Sequence, residues 1–227
     1  MTSMKVRSPR LGRLSLLTLA AAMSVSLLTG GCRGVPDLPE AKRRVAAYYE
    51  DGRHERDMAR AFARARAWLP AEGAYNIAGS AIVMDIDDTV LDTYEYQKAL
   101  GFGHYGKAWH EWIEMRRAKA IAPALDFYNL ARARGLAVFF VTGRREAFRL
   151  ATEENLRAVG FADWKGLLMK PTDFKGKSVV ELKTAARREI ERRGYRILIN
   201  IGDQTSDLEG GHAVHRLLLP NPIYGVH

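Results

Sequence analysis

The stretch AIVMDIDDT, residues 81–89, decides the fold of this chain. Its first four residues form an uninterrupted apolar run, which is the pattern of a strand buried on both faces of a sheet. The other five carry three aspartates and a threonine directly after that strand. Because ligands of open α/β sheets bind at the carboxyl ends of the strands, this stretch predicts both a parallel sheet and the position of its chemistry.

Apolar runs and helical segments alternate along the rest of the chain. Further strands are predicted at residues 137–141, 167–169, 197–201 and 217–219, and helices at residues 122–134, 145–159 and 178–193. Two of these helices are followed by a glycine, Gly135 and Gly194, as helix C-termini often are. The alternation predicts an α/β fold with a doubly wound parallel sheet.

The length of 227 residues is enough for one α/β domain with small additions. We place that domain at residues 80–227, with an insertion at about 90–121 that predicts a small helical cap. Residues 33–79 are interpreted as a tether followed by one or two N-terminal helices, with a break at Asp51-Gly52. Residues 1–32 are interpreted as a targeting segment, outside the fold.

The targeting segment resembles the signal peptide of bacterial lipoproteins. Its basic residues end at Arg13, a mostly apolar and uncharged stretch follows, and the only cysteine, Cys32, comes after two glycines. Thr29 stands where such signals usually have leucine. We expect lipidation of Cys32, attachment to a membrane through that lipid, and a location in the cell envelope. A cleaved secretion signal with an incidental cysteine is the alternative, and it also takes the protein out of the cytoplasm.

The formal net charge of +9 raises the question of a nucleic-acid partner. Residues 1–31 contribute basic residues and no acid, and much of the remaining charge lies on Arg-rich helical stretches at 56–66 and 187–193. No nucleic-acid motif and no basic groove with interleaved aromatic residues accompanies this charge. We therefore expect no nucleic-acid partner and interpret the charge as a solvated surface that can attract anionic substrates.

Polar residues follow three of the predicted strands. The segments are Asp85 to Thr89, Thr142-Gly143-Arg144, and Gly202 to Asp207 with Asp203 inside it. Because parallel strands end at one edge of the sheet, at least three carboxylates would share a small volume. Crowded carboxylates repel one another unless a cation holds them, and oxygen-only ligation suits Mg²⁺. The pattern predicts a Mg²⁺ site that would also attract a phosphate group.

The same residue types suit phosphoryl transfer. Asp85 would be an oxygen nucleophile, and Asp87 could be the general acid for the leaving alcohol. The hydroxyl of Thr142 and the amide of Gly143 could donate to phosphoryl oxygens. A lysine would complete the charge clamp, and the candidates are Lys170, Lys177 and Lys183. A capped strand-to-helix turn is the alternative for the first of these segments taken alone.

These motifs resemble those of the haloacid-dehalogenase superfamily. Asp85-x-Asp87-x-Thr89 matches its first motif, Thr142 its second, and Gly202-Asp203-x-x-x-Asp207 its fourth. The surrounding sequence is similar to that of the class C bacterial acid phosphatases and the related plant acid phosphatases, which form subfamily IIIB. The matching strings are DIDDTVLD at 85–92, Trp109-x-x-Trp112, VTGR at 141–144 and LPNP at 219–222. The resemblance spans about residues 75–225.

The resemblance implies a haloacid-dehalogenase-like phosphatase domain at residues 80–227 and a phosphate monoester as substrate, with 5′-nucleotides as one candidate class. It implies that Asp85 forms an aspartyl-phosphate, that Asp87 protonates the leaving group, and that Lys183 is the third motif. Mg²⁺ would be bound by Asp85, the backbone carbonyl of Asp87 and Asp203, with Asp207 as a further ligand or supporting partner. A phosphotransferase on the same scaffold and a non-catalytic envelope binding or storage protein are the alternatives.

Aromatic residues are frequent in the insertion. Trp109 and Trp112 are one helical turn apart and would share a face. With Tyr94 and Tyr224, they are candidates for a wall that stacks on an aromatic leaving group. Packing of the insertion onto the sheet is the alternative for each of them.

Several polar residues near these motifs are given no catalytic role. His212 and His215 are spaced like metal ligands on a possible helix, but with His104 and His110 they are interpreted as surface histidines. Asp88 and Asp92 are expected to be solvated or to cap a helix.

Overall fold

The computed structural model describes residue 1 and residues 37–74, 77–176 and 178–225. The targeting segment with Cys32, most of the tether, and Lys177 lie outside the described residues. The span Asp37–His227 forms one compact unit. In the part of the chain that is described, no helix combines the length and the apolar character needed to cross a membrane.

The predicted parallel sheet is present. In chain order the described strands are β1 (Ser80–Met84), β2 (Leu91–Asp92), β3 (Lys119–Ala120), β4 (Ala137–Arg145), β5 (Gly166–Lys170), β6 (Arg196–Gly202) and β7 (His215–Leu218). Five of them form a parallel sheet in the order β5-β4-β1-β6-β7, whereas β2 and β3 form a separate antiparallel pair. β4 extends past its predicted end because Arg145 still pairs with Lys170 of β5. The α/β prediction is confirmed.

Two helices precede β1, and the other described helices lie between strands. In chain order they are α1 (Leu38–Glu50), α2 (Arg53–Arg66), α3 (Tyr94–Ala99), α4 (Gly106–Met115), α5 (Ala122–Ala133), α6 (Arg149–Ala158), α7 (Val179–Arg192) and α8 (Thr205–Leu208). The break between α1 and α2 is where the sequence predicts it, and Gly52 there has a φ of 76°, which glycine adopts without steric cost. A 3₁₀ turn at Glu146–Phe148 precedes α6, so this helix begins later than predicted.

Apolar clusters cover both faces of the sheet, which explains the unbroken apolar run of β1. Ile82 and Met84 belong to one cluster, together with Phe62 of α2 and Phe127 of α5. The intervening Val83 belongs to the other cluster, which includes residues of α7. Because successive residues of a strand face opposite sides, helices on both faces require an apolar residue at every position of β1.

The predicted cap region contains β2, α3, α4 and β3, all between β1 and α5. Leu91 pairs with Ala120, so the two ends of the insertion lie side by side. The insertion also contacts α1: the ring of Tyr94 stacks on the ring of Tyr49, with centroids 4.4 Å apart, and its hydroxyl donates to Glu50 at 2.8 Å. The N-terminal helices therefore pack against the cap region as well as against the core.

Candidate active site

A cavity of about 440 Å³ lies at the carboxyl ends of β1, β4 and β6. Most of the residues that the sequence predicts for the site line this cavity: Asp85, Asp87, Trp109, Thr142, Gly143, Lys183, Asp203, Asp207 and Tyr224. They come from three strand ends, from α4, α7 and α8, and from the C-terminal segment. The fold therefore brings together residues that are far apart in the sequence.

Three aspartates form a cluster at the floor of the cavity. Asp85, Asp203 and Asp207 each offer one carboxylate oxygen, and these oxygens lie within 4.8 Å of one another. Burial and the neighbouring negative charges raise the pKa of Asp85 well above its ordinary value and the pKa of Asp203 to about 6. A divalent cation that prefers oxygen ligands would offset the repulsion between these carboxylates and favour their ionised forms. The donor set therefore fits an ion such as Mg²⁺.

Lys183 is the lysine that the structure brings to this cluster. It projects from α7, is 3% exposed, and forms ion pairs with Asp85 and, at 2.9 Å, with Asp207. Burial alone would lower the pKa of Lys183, but the charges of the two aspartates outweigh burial and raise it above its ordinary value. Of the other candidates, Lys170 lies on β5 with its ammonium group 5.6 Å from the ring of Phe174.

Hydrogen bonds fix the orientation of the two aspartates that follow β6. Asp203 accepts from Thr89 at 3.2 Å, from the side chain of Gln204 at 2.5 Å, and from Asn221 at 2.7 Å. Asp207 accepts from the backbone amide of Gln204 at 3.0 Å. The aspartate cluster is therefore held in place by side chains from the turn after β6, from the first motif and from the C-terminal segment. Sequence reasoning gave Asn221 no role in the site beyond its place in the LPNP string.

Arg187 of α7 holds the backbone of the segment 207–211, which begins with Asp207. It is 0% exposed, and its guanidinium donates to the backbone carbonyls of Asp207 at 2.6 Å, Gly211 at 2.9 Å, and Glu209. The carbonyl of Asp207 also accepts from Asn200 at 2.8 Å. Burial lowers the pKa of Arg187 to about 10. Three carbonyls of the segment 207–211 thus accept from one buried guanidinium, so Arg187 holds the backbone that carries Asp207.

Arg144 is a site residue to which sequence reasoning assigned no role. Its side chain is 1% exposed and binds both carboxylate oxygens of Asp87, at 2.6 and 3.0 Å. It also donates to Thr152 at 3.2 Å, and its guanidinium lies 5.6 Å from the ring centroid of Trp109. A paired, two-point contact of this type fixes the direction of a carboxylate. The available signal was an arginine that directly follows the Thr-Gly pair at the end of β4.

Two of the predicted aromatic wall residues are not in the cavity. Trp112 is 5% exposed and packs in the core beside Tyr96, with ring centroids 5.9 Å apart. A separation of three residues rotates side chains by about 60° around a helix, so Trp109 and Trp112 diverge. Tyr94 is turned away toward α1, as described above. Trp112 and Tyr94 therefore do not line the cavity, whereas Trp109 and Tyr224 do.

The glycine-rich stretch at residues 101–106 supplies lining residues that the sequence did not reveal. Phe102 and His104 line the cavity, and Phe102 has a φ of 61°, a conformation that is unusual for an aromatic residue. Its backbone amide donates to the carbonyl of Gln97 at 2.7 Å, and this bond helps to hold the conformation. No regular pattern in the sequence marks this loop as part of the site.

Among the described residues, the group placed to hold a metal ion consists of the three aspartates and includes no histidine. The helix that would place His212 and His215 on one face is not formed, because His212 has a φ of 65° and His215 begins β7. His212 pairs with Glu191 at 2.6 Å, and the ring of His215 stacks on Trp68. Contacts with neighbouring side chains account for both residues.

Asp88 differs from its prediction as a solvated or capping residue. It is 2% exposed and accepts hydrogen bonds from Thr93, whose hydroxyl lies at 2.8 Å, and from the hydroxyl of Tyr224 at 2.7 Å. Burial, with the charge of Asp203 as the next cause, raises the pKa of Asp88 to about 8. Asp92, by contrast, accepts from the first amide of α3 at 2.7 Å, in agreement with a capping role.

Comparisons with known proteins agree with this geometry. A profile of the family described as HAD superfamily, subfamily IIIB (acid phosphatase) matches residues 35–227. The chain is 38% identical over 148 residues to the stem 28 kDa glycoprotein of Glycine max, covering 63% of this chain and 58% of that protein. It is 35% identical over 146 residues to acid phosphatase 1 of Solanum lycopersicum, covering 63% of this chain and 57% of that protein. The chain therefore spans less than two thirds of the length of these relatives.

A solved structure shares the fold. The class C acid phosphatase from Bacillus anthracis with tungstate bound superimposes with a TM-score of 0.67 at 25% identity, and the match covers 81% of this chain and 85% of that chain. The family profile covers most of this chain and includes every residue that lines the cavity. The chain belongs to the haloacid-dehalogenase (HAD) superfamily, subfamily IIIB (acid phosphatase).

Proposed function

We propose that this protein is a Mg²⁺-dependent phosphomonoesterase that works through an aspartyl-phosphate on Asp85. The observation that carries the proposal is the position of Asp85 at the end of the central strand, in a cavity where Lys183 and two further aspartates surround it. The family to which the chain belongs is described as an acid phosphatase family. Tungstate, an oxyanion like phosphate, is bound in the related bacterial structure.

The reaction has two steps. In the first, a carboxylate oxygen of Asp85 bonds to phosphorus, the bond from phosphorus to the leaving oxygen breaks, and that oxygen takes a proton from Asp87. In the second, Asp87 removes a proton from a water molecule whose oxygen attacks the phosphorus, which releases inorganic phosphate and restores Asp85. Lys183, the hydroxyl of Thr142 and the amide of Gly143 donate to the phosphoryl oxygens. Bound Mg²⁺ would neutralise charge on the transferred group.

The walls of the cavity favour an aromatic leaving group. Trp109, Phe102 and Tyr224 place aromatic surface beside the carboxylate cluster. Stacking of a base on such a ring is worth about 1–3 kcal/mol. We therefore propose phosphate monoesters with aromatic leaving groups as substrates, with 5′-nucleotides as one class within them.

The test of the proposal is release of phosphate by the full chain from an aromatic phosphate ester, from 5′-nucleotides and from an aliphatic phosphate ester. We expect turnover with Mg²⁺, loss of turnover with a chelator, and better turnover of the aromatic esters. A folded, Mg²⁺-loaded protein that releases no phosphate from any of them would contradict the proposal. Addition of a small alcohol distinguishes a phosphotransferase, because the phosphoryl group would then appear on the alcohol in place of free phosphate.

Removal of the two-point contact between Arg144 and Asp87 is expected to reduce kcat by about 10- to 100-fold, because a misdirected Asp87 transfers its proton poorly. The variant is Arg144→Gln. Arg144→Lys should lose somewhat less, because lysine keeps the positive charge beside Asp87 although it cannot make the two-point contact. Steady-state kinetics measure the effect, and thermal unfolding establishes that each variant is folded. An unchanged kcat in a folded Arg144→Gln protein would show that Asp87 does not depend on this contact.

Mg²⁺ is expected to stabilise the protein more at pH 8 than at pH 5. The pKa of Asp203 is about 6 in the folded protein and that of Asp85 is raised, so the metal-free fold binds more protons than the unfolded chain and loses stability as the pH rises from about 4 through 6. Metal binding requires the ionised carboxylates and reverses this loss. At a hundredfold excess over Kd, the expected rise in Tm at pH 8 is about 5–10 °C.

Thermal unfolding with and without Mg²⁺ at the two pH values measures this difference. Asp203→Asn is the matched variant, because it removes one ligand and should abolish most of the Mg²⁺ effect at pH 8. Equal shifts at both pH values, or a shift that survives in Asp203→Asn, would place the stabilising ion elsewhere.

A further inference from the structure

Ser206 is a buried cavity residue whose hydroxyl has no partner among the described residues. It is the second residue of α8, it directly precedes Asp207, it lines the cavity, and it is 1% exposed. Its Oγ makes no hydrogen bond within the described part of the chain. Buried polar groups in folded proteins are nearly always hydrogen-bonded, so an unpaired hydroxyl in a cavity wall indicates that its partner is a ligand.

Other buried atoms without a hydrogen-bond partner do not share this position. They are the hydroxyls of Tyr49 and Tyr96, the indole nitrogen of Trp112, and Nε2 of His54. None of these four residues lines the cavity. Among the described residues, Ser206 alone has both a buried side-chain atom without a hydrogen-bond partner and a place in the cavity wall.

The neighbouring aspartates do not need Ser206 as a donor. Asp203 already accepts from Thr89, Gln204 and Asn221, and Asp207 is paired with Lys183 and with a backbone amide. Neither aspartate is the acceptor of the Ser206 hydroxyl, so this hydroxyl stays available to a group that enters the cavity which Ser206 lines.

The sheet order places Ser206 opposite Thr142. Thr142 lies in the second half of β4, Ser206 follows β6, and β1, which Asp85 directly follows, runs between these two strands. A phosphoryl group on Asp85 would thus have one hydroxyl on each side. Three negatively charged oxygens need several donors, and Thr142 and Lys183 lie toward the β4 and α7 side of the group.

We propose that the Ser206 hydroxyl donates a hydrogen bond to an oxygen of the phosphoryl group during transfer and to inorganic phosphate before release. This proposal rests on the proposed phosphatase function, because it assumes that a phosphoryl group occupies the cavity at Asp85. It assigns to Ser206 a direct contact with the substrate, in addition to the contacts made by Thr142, Gly143 and Lys183.

The test compares Ser206→Ala with Thr205→Ala in the full chain. Thr205 carries a hydroxyl on the same helix but is exposed, so it controls for changes in α8. Calorimetric titration with inorganic phosphate in the presence of Mg²⁺ gives Kd, and thermal unfolding without ligand gives Tm. For Ser206→Ala we expect a Kd that is roughly 10- to 100-fold weaker, as for loss of a hydrogen bond to a charged group, and a Tm that is unchanged or higher.

Kd and Tm together distinguish a contact with the ligand from a contact within the protein. A weaker Kd with an undiminished Tm in Ser206→Ala, and no change in Thr205→Ala, would support the proposal. An unchanged Kd in Ser206→Ala would overturn it, and so would a clear fall in Tm, which would mean that the hydroxyl has a partner within the protein. If the wild-type protein binds Mg²⁺ but neither binds phosphate nor hydrolyses an ester, the proposed function fails together with this inference. If the wild-type protein is active and the Ser206→Ala variant is unaffected, only this inference fails.

Discussion

Replacement of Asp85 by asparagine is expected to reduce phosphate release by more than about 10³-fold while the protein stays folded. Asparagine has nearly the same shape, but its amide oxygen is not a nucleophile that can form an acyl-phosphate. Loss of a nucleophile removes the reaction pathway, so the effect should appear in kcat rather than in KM. Initial rates with an aromatic phosphate ester and Mg²⁺ measure it.

The stability of the Asp85→Asn protein provides the control on folding. Lys183 keeps its ion pair with Asp207 in this variant, and one of three crowded carboxylates is removed. The Tm should therefore be equal to or above that of the wild type. Asp126→Asn, which changes an exposed carboxylate on α5, should alter neither rate nor Tm. If Asp85→Asn kept more than about a tenth of the activity, another residue would have to be the nucleophile.

Arg187→Met is expected to lower the free energy of unfolding by about 3–5 kcal/mol. The substitution removes the donor of the Gly211 carbonyl, and it leaves the carbonyl of Asp207 with Asn200 and the carbonyl of Glu209 with the hydroxyl of Thr184. A hydrogen bond to a charged group contributes about 1.5–3 kcal/mol, and three bonds to the guanidinium are lost. Methionine keeps the aliphatic volume, so a cavity contributes little. Urea unfolding monitored by circular dichroism measures the change.

Arg188→Met is the matched control for this prediction. Arg188 is the next residue of α7 but is exposed, and its guanidinium donates to His212 at 3.0 Å. Exposed contacts of this kind contribute little, so the free energy of unfolding should change by less than about 0.5 kcal/mol. Similar losses in the two variants would mean that charge, rather than the buried carbonyl contacts, decides the effect.

The sheet and the floor of the site could be predicted from the sequence because their signals are local. A strand covered on both faces must be apolar at every position, so β1 is visible as a continuous run. The polar residues that end β1, β4 and β6 follow from the rule that parallel strands finish at one edge. The structure brings Lys183 to the aspartate cluster, but the sequence singled it out from three lysines only through the resemblance, since nothing local distinguishes it.

The parts of the site that the sequence did not reveal depend on packing between distant segments. The sequence predicts a solvated or capping Asp88, whereas in the fold Asp88 is buried and accepts hydrogen bonds from Tyr224 and Thr93. Trp112 has the same residue type as Trp109 and lies one turn away, yet only the tertiary packing of α4 decides which ring faces the core. The backbone conformation of Phe102 is fixed by a bond to Gln97 that no periodicity encodes.

The burial of α2 against the sheet has a practical consequence for recombinant fragments. A fragment that begins at Ser80 would retain the whole sheet and the cavity, but it would uncover the apolar surface on which Met58 and Phe62 pack. Contiguous exposed apolar patches promote aggregation. Truncated forms should therefore retain α2, and a start at Asp37 keeps both N-terminal helices. Precipitation of forms that lack α2 would reflect this uncovered surface rather than a defect of the catalytic residues.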